Sequence, residues 1–444
     1  METALNGASA SGSARRPSIA VVLPGGGARG AYEAGALSVL LPALEARGER
    51  VSIWCGTSVG AINATAMASL SHLPTSEQTA ATVGLWSELR KGDVISPIIG
   101  SGGLRTLMRL VGHGVRIPSL RFASLLDPSP LAGSLDRWID WRRLSDNVAR
   151  KVIDAVCVVA TSLMTGDPVA FVSSRDKLPR FPDDAIRYVG ANLRGEHVRA
   201  SAAIPMLFPT VQVTTPRSAR GHYADGGTRL NSPIKPALHL GADRVILIGL
   251  EPFGHSAALS IAAGRPSVAD VAANVLDGLL VDQVANDLHR MAAINSFFVD
   301  DASRGTVGAS RAYRLARGRA PYRPISYALV SPQRRGEIGR LAEKVFANRY
   351  GGLRGLRDLD FVLMAGALGS RTRARGELLS FLLFDSEFVA GLLALGARDA
   401  KRWLRRHPRF WCRDAAHDLS FARYDRGAIS EQEAIEEFRA RRYR

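Results

Sequence analysis

Two patterns of apolar and polar positions divide the chain. In the first, short runs rich in β-branched residues alternate with stretches of helical spacing. Ser18–Leu23 (SIAVVL), Val51–Cys55, Val152–Thr161, Val169–Val172, Val211–Thr214, Arg244–Leu250 and Arg323–Val330 predict strands. Several are apolar without alternation, as strands buried on both faces of a parallel sheet are. Ala31–Glu45 and Ala61–Leu70 predict helices, and Asn231-Ser232-Pro233 opens another that runs to Leu240. Gly166-Asp167-Pro168 predicts a hairpin turn between two strands. Small residues before Pro205 and Pro209 predict a helix that stops at Ile204. In the second pattern, from about Ala258, helical spacing takes over. It includes Leu378–Leu395 and a last helix capped at Ser430-Glu431-Gln432-Glu433. Strand, loop and helix in succession make an α/β fold. The expected organisation is a disordered tail over 1–17, a core over 18–255, a mixed continuation over 256–335 and a helical region over 336–444. No internal repeat is visible.

Two loops in the first strand–helix–strand unit carry candidate chemistry. Trp54-Cys55-Gly56-Thr57-Ser58-Val59-Gly60 places a Ser between two glycines where a strand turns into a helix. That is the layout of a nucleophile elbow, in which a tight turn presents the hydroxyl and the helix N-terminus favours developing negative charge. With 43 Gly in 444 residues the motif alone is weak. One strand earlier, Gly25-Gly26-Gly27-Ala28-Arg29-Gly30 follows SIAVVL and opens a helix. Both loops fall at the carboxyl ends of strands, where open α/β sheets place their ligands. The Gly loop has two readings. A dinucleotide site wants an acidic residue at the end of the second strand, and Cys55-Gly56-Thr57-Ser58 has none. An oxyanion hole needs free backbone N–H groups beside a nucleophile, and the neighbouring Ser favours it.

Composition narrows the partners. Lys and Arg exceed Asp and Glu by 58 to 41, a net charge of +17, and 46% of residues are apolar. This is an ordinary globular composition with a basic surface suited to an anionic partner, although an Arg-rich chain also gains simple solubility. Leu104–Phe122 carries Arg105, Arg109 and Arg116 beside an apolar face, either a lid or an ordinary surface helix. Arg402, Arg405, Arg406, Arg409 and Arg413 interleave with Trp403, Phe410 and Trp411. This patch suits acidic head groups or nucleic acid, or is an Arg face packed by aromatics. Cys55, Cys157 and Cys412 have neither disulfide nor metal spacing, and no metal or cofactor is expected. The N-terminus lacks an apolar signal core, and Asp385 and Glu387 interrupt the most apolar stretch. No signal peptide or transmembrane span is therefore expected, and the predicted location is cytoplasmic with peripheral membrane contact.

Four blocks together resemble the patatin-like phospholipase family. GGGARG (25–30) is similar to its oxyanion loop and GTSVG (56–60) to its nucleophile elbow. ASAAIPMLFP (200–209) is similar to a third block, and Asp225-Gly226-Gly227 to its aspartate motif. The resemblance covers roughly 18–250 and shows no departure at these positions. The stretch 377–400 also looks like the C-terminal region of bacterial members. The resemblance implies a three-layer α/β/α lipid acyl hydrolase with a Ser-Asp dyad and no catalytic His. Carried over, Ser58 is the nucleophile and Asp225 the base. Gly25, Gly26 and Gly27 form the oxyanion hole with Ala28, Arg29 and Gly30 completing the loop, Gly56 and Gly60 form the elbow, and Gly226 and Gly227 follow the aspartate.

Taken by residue chemistry, a Ser hydroxyl needs a base. Of nine His only His222, three residues before Asp225, lies in a site-like context. Otherwise Asp225 serves directly, which requires burial to raise a pKa that is ordinarily about 3.9. The expected substrate is a phospholipid or another acyl lipid at an anionic membrane surface, with no nucleic-acid partner. A nucleotide-binding protein using loop 25–30 and a catalytically silent lipid-binding protein are the alternatives.

Overall fold

The structure is a computed structural model and describes residues 16–96, 126–178, 185–205, 207–252, 291, 295, 304–316, 321–351 and 373–412. Residues 1–15, the Leu104–Phe122 stretch, most of 256–303, Arg413 and the helix expected after Ser430 lie outside the described residues.

Among the described residues a mixed sheet of nine strands forms the centre. The strands are β1 (Ile19–Leu23), β2 (Ile53–Thr57), β3 (Ala155–Ser162), β4 (Pro168–Ser174), β5 (Arg187–Gly190), β6 (Val211–Val213), β7 (Gly221–Asp225), β8 (Arg244–Ile248) and β9 (Ser326–Val330). The main path runs β5-β4-β3-β2-β1-β8-β9. β1, β2, β3, β8 and β9 are mutually parallel along it, and β4 returns antiparallel to β3 through the predicted hairpin. β1, β2 and β3 are buried at every position, which explains their continuous apolar runs. Cys55 and Cys157 face each other in register between β2 and β3, buried and unbonded.

Helices flank this sheet in a three-layer α/β/α arrangement. Those used below are α1 (Gly30–Glu45), α2 (Val59–Leu70), α3 (Thr75–Glu88), α4 (Ser129–Trp138), α5 (Trp141–Ala149), α6 (Gly195–Ser201), α7 (Ile234–His239), α8 (Glu337–Tyr350), α9 (Arg373–Leu382) and α10 (Ser386–Arg406). Three predicted boundaries move. β2 runs two residues further, through Thr57, because β3 supplies ladder partners for Gly56 and Thr57. α6 ends at Ser201 rather than at Ile204. Its last carbonyls turn outward, Ser201 to the Gly226 N–H and Ala203 to the Asp225 N–H. The apolar stretch 378–395 is two helices that meet at 104°. Asp385 separates them by accepting hydrogen bonds from the N–H groups of Glu387 and Phe388 as the N-cap of α10. No single helix among the described residues is long and apolar enough to cross a membrane.

Of the C-terminal helices, α10 packs directly on α1. α10 lies along α1 at backbone distance: a Cβ on Gly396 would stand 2.1 Å from the Tyr32 carbonyl oxygen, and one on Gly35 2.2 Å from that of Leu393. The buried Tyr32 hydroxyl donates to Asp399 Oδ2 at 2.9 Å. Asp399 also receives Arg398 and Arg402, each at 2.9 Å. Trp403 and Phe410 are buried, with Trp403 Nε1 donating to the Phe410 carbonyl at 3.0 Å. Of the proposed basic-aromatic patch, then, these two rings serve packing and do not face a partner.

Gly396→Val is expected to force α10 off α1 and lower stability by about 3 kcal/mol. Gly84→Ala, where a Cβ meets nothing within 4 Å, should stabilise by up to about 1 kcal/mol. Urea denaturation of the two variants checks both signs.

Candidate active site

β3 has two edges. β4 occupies one of them from Ala155 to Thr161. β2 pairs with residues 155–159 of β3, and the antiparallel β7 pairs with residues 160–162. The remaining edge is thus shared: β2 leaves it as the chain turns out at Ser58, and β7 takes it over and delivers Asp225. Thr57 sits opposite Val159 and Asp225 opposite Ala160, so the two strands arrive end to end. Across the gap, Ser58 Oγ donates to Asp225 Oδ2 at 2.6 Å. Ser58 is 4% exposed and Asp225 2%.

The turn that presents Ser58 is strained. Ser58 has φ 54° and ψ −123°, a left-handed value that a residue with a Cβ rarely adopts. The flanking glycines are steric necessities. A Cβ on Gly56 would lie 2.1 Å from the Gly60 carbonyl oxygen, and one on Gly60 2.1 Å from that of Leu23. The Ser58 N–H donates to Ser201 Oγ at 2.8 Å, and that hydroxyl donates in turn to the Val159 carbonyl. Ser201 thereby pins the elbow to β3. It belongs to the block 200–209, whose small side chains signal close packing without naming the partner.

Burial pushes the Asp225 carboxyl up to about 7, against the hydrogen bonds from Ser58 and the Gly227 N–H, which lower it. Gly227 N–H donates to Oδ1 at 2.7 Å, leaving Oδ2 to Ser58. Gly226 donates its N–H to the Ser201 carbonyl at 3.2 Å, so the Asp-Gly-Gly turn and the end of α6 hold each other. His222 is exposed and three residues upstream on β7, so it projects from the strand face opposite to Asp225. Its Nδ1 lies 3.5 Å from Thr210 Oγ1.

The Gly-rich loop closes the other side. Gly25 donates its N–H to Asn231 Oδ1 at 2.9 Å. It is therefore already engaged, unlike the free donor expected from the sequence. In the sequence Asn231 signals only the opening of a helix. The N–H groups of Gly26, Gly27 and Ala28 make no hydrogen bond to another described residue. A single 3-10 turn over Gly27–Arg29 leads into α1 at Gly30. Arg29 is 1% exposed and points away from solvent to Glu377. Asn63, one turn into α2, donates to the Gly30 carbonyl at 3.0 Å and to Glu33 Oε2 at 2.8 Å, and accepts from Trp86 Nε1 at 2.9 Å. This buried network joins α1, α2 and α3. Burial holds the Glu33 carboxyl well above the usual carboxylate range, which favours its neutral form.

Beside Ser58 lies a small cavity of about 40 Å³ with almost wholly apolar walls. Gly27, Val59, Ile62, Leu89, Trp138, Ile204 and Phe384 line it, together with Trp86 and Phe208. Among the described residues no group of three or more His, Cys, Asp or Glu is gathered to hold a metal ion.

Residues 21–238 match the family model of the patatin-like phospholipases. Over this span the chain belongs to that family. Patatin-like membership makes the protein a lipid acyl hydrolase in general terms. VipD from Legionella pneumophila is similar at 15% identity, with 88% of this chain and 67% of that one covered and a TM-score of 0.31. ExoU, in its complex with SpcU from the type III secretion system of Pseudomonas aeruginosa, is similar at 15% identity, 88% and 72% coverage and a TM-score of 0.23. Neither superposition is close enough to bear on the patatin-like assignment. No curated protein sequence matches the chain.

Because the Asp225 pKa is raised by folding, its contribution to stability is largest when it is protonated. Stability should therefore fall as pH rises from about 4 through about 7. Asp225→Asn removes the buried charge and is expected to raise the melting temperature at pH 8 by at least about 2 °C. The gain should shrink to a small part of that at pH 4.5, as differential scanning fluorimetry at the two pH values will test.

Proposed function

We propose that this patatin-like protein cleaves acyl ester bonds of phospholipids or related lipids through Ser58 and Asp225, without a histidine. The observation that carries the reading is the buried 2.6 Å hydrogen bond from Ser58 Oγ to Asp225 Oδ2. Asp225 accepts the Ser58 proton as Oγ attacks the ester carbonyl. The tetrahedral oxyanion is stabilised by backbone N–H groups of Gly26 and Gly27 and by that of Val59, the residue after the nucleophile. The Gly25 N–H, held by Asn231, shapes the loop instead of contacting the oxyanion. Collapse of the intermediate expels the alcohol, which takes the proton from Asp225, and leaves an acyl-enzyme. A water molecule deprotonated by Asp225 then attacks the acyl carbon, and as the acyl–Oγ bond breaks Asp225 returns the proton to Ser58 Oγ and the fatty acid leaves. A base titrating near 7 suits this work better than an ordinary carboxylate, since it binds the proton more strongly and is still half ionised at neutral pH.

The almost wholly apolar wall beside Ser58 suits an apolar group next to the ester presented to the nucleophile, as the first carbons of an acyl chain are. It also disfavours the nucleotide reading of loop 25–30, because a phosphate would meet Ile62, Leu89 and Phe384. The net charge of +17 supports peripheral contact with anionic lipid. No cofactor enters the scheme.

An alkyl fluorophosphonate should label the wild type at Ser58, and Ser58→Ala should lose both labelling and ester turnover. Asp225→Asn should lower kcat by about 100- to 10,000-fold with its fold intact by circular dichroism. The wild-type rate should climb with pH and reach half its plateau near 7, as the Asp225 carboxylate forms. Labelling that persists in Ser58→Ala, or turnover lost in His222→Ala instead, overturns the dyad. In co-sedimentation, vesicles containing phosphatidylglycerol should bind the protein more than pure phosphatidylcholine, and 0.5 M salt, at about 4 Å screening length, should weaken that difference.

A further inference from the structure

We propose that Glu377 is a positioning residue for the oxyanion loop, acting through Arg29 on the peptide that carries the Gly27 N–H. This rests on the reading of residues 25–30 given above and assigns a role to the C-terminal helix pair.

Arg29 lies inside the protein, and a guanidinium cannot be left there unpaired. Three contacts hold it. Its Nη1 donates to Glu377 Oε2 on α9 at 3.3 Å, across 348 residues of sequence. Its Cζ sits 3.7 Å from the centre of the Phe381 ring, one turn further along α9. Its Nε donates to the Gly26 carbonyl oxygen at 3.3 Å, and the Arg29 N–H donates to the same oxygen at 3.2 Å. Glu33, the other carboxyl close to this guanidinium, is held toward its neutral form by burial. Glu377 is thus the counter-ion that fixes where the Arg29 side chain lies.

The Gly26 carbonyl and the Gly27 N–H belong to one planar trans peptide and point in opposite directions. Anchoring the carbonyl on Arg29 therefore aims the N–H the other way. Gly27 lines the cavity at Ser58, and its N–H has no partner among the described residues. A guanidinium on the carbonyl side also polarises the peptide and strengthens its N–H as a donor. α9 braces the loop a second time through its backbone. Gly27 has φ +59°, and a Cβ there would stand 2.3 Å from the Phe381 carbonyl oxygen, so the helix rests directly on this glycine. Phe384, just beyond α9, forms part of the cavity wall. The C-terminal helices are in this way part of the site, and the Arg29–Glu377 pair is the link through which they aim the donor.

The experiment compares wild type, Glu377→Ala, Glu377→Gln and Phe381→Leu. It measures kcat and KM on a soluble p-nitrophenyl ester, and amide hydrogen exchange of the peptide spanning 24–32. Glu377→Ala should lower kcat by about 10- to 100-fold, less than full loss of an oxyanion donor, with KM within about threefold of wild type. Exchange over 24–32 should quicken while the sheet strands keep their protection. Glu377→Gln retains an oxygen for Nη1 and should recover most of kcat. A folded Glu377→Ala with wild-type kcat and wild-type exchange over 24–32 overturns the proposal. If Glu377→Ala does not fold, Phe381→Leu decides: a several-fold loss in kcat with faster exchange over 24–32 supports the coupling, and unchanged values overturn it. Failure of the dyad reading shows separately, as activity that survives Ser58→Ala, and the exchange data then still test whether Glu377 orders the loop.

Discussion

One shared strand edge makes the site. β4 takes up one side of β3, so β2 and β7 divide the other between them, and they run in opposite directions. Wherever β2 departs, β7 must end, and the residues at those two ends have to meet. Ser58 and Asp225 are those residues. Their 2.6 Å hydrogen bond is the consequence of a register along β3, held by Val159 opposite Thr57 and Ala160 opposite Asp225. A one-residue slip of β7 would turn Asp225 to the other face of the sheet. The Ser201 hydroxyl and the Ser201 and Ala203 carbonyls lock that register by bonding both to the elbow and to the Asp225-Gly226 backbone.

Burial then turns proximity into chemistry. In water Asp225 would be a weak base. Enclosed under the end of the sheet it rises to about 7, because desolvation outweighs the hydrogen bonds from Ser58 and the Gly227 N–H, which lower it. The same enclosure forbids loose charges nearby, and the surrounding residues obey that limit. Glu33 is driven toward its neutral form and bonded by Asn63, while Arg29 is paired with Glu377. Ser58 holds a left-handed backbone conformation that the packing of Gly56 and Gly60 enforces. A polar, strained pair is thus kept inside an apolar wall, an arrangement that disfavours folding locally and is compensated by the large buried sheet.

Much of this was readable beforehand where the signal is local. SIAVVL, VIDAVCVVAT and RVILIGL sit in strands because uninterrupted β-branched runs suit positions covered on both faces. The Gly loop and the elbow stand at strand ends because glycine spacing reports a tight turn directly. Where neighbours decide, the sequence misled. α6 was expected to continue to Ile204, yet its terminal carbonyls find better partners on Asp225 and Gly226. For Trp403 and Phe410 two readings stand open in the sequence, a binding patch or an Arg face packed by aromatics, and the burial of both rings favours packing. Gly25 was expected as an oxyanion donor, and Asn231, more than two hundred residues away, already holds its N–H.

From the chain alone come the α/β class, the order of strands and turns, and Ser58 as a candidate nucleophile, because residue type and short-range spacing carry that information, while Asp225 as the base comes from the joint resemblance of four separate blocks to a known family. The sequence also determined that the surface is strongly basic. Only the tertiary structure decided that His222 faces away from the site, that Asp225 is buried enough to titrate near 7, and that Ser201 and Asn231 brace the two loops. Those outcomes depend on long-range strand pairing and on what each side chain is packed against. The same holds for Glu377: nothing near it in the chain hints at a loop 348 residues earlier, and only the packing of α9 over Gly27 brings the two together.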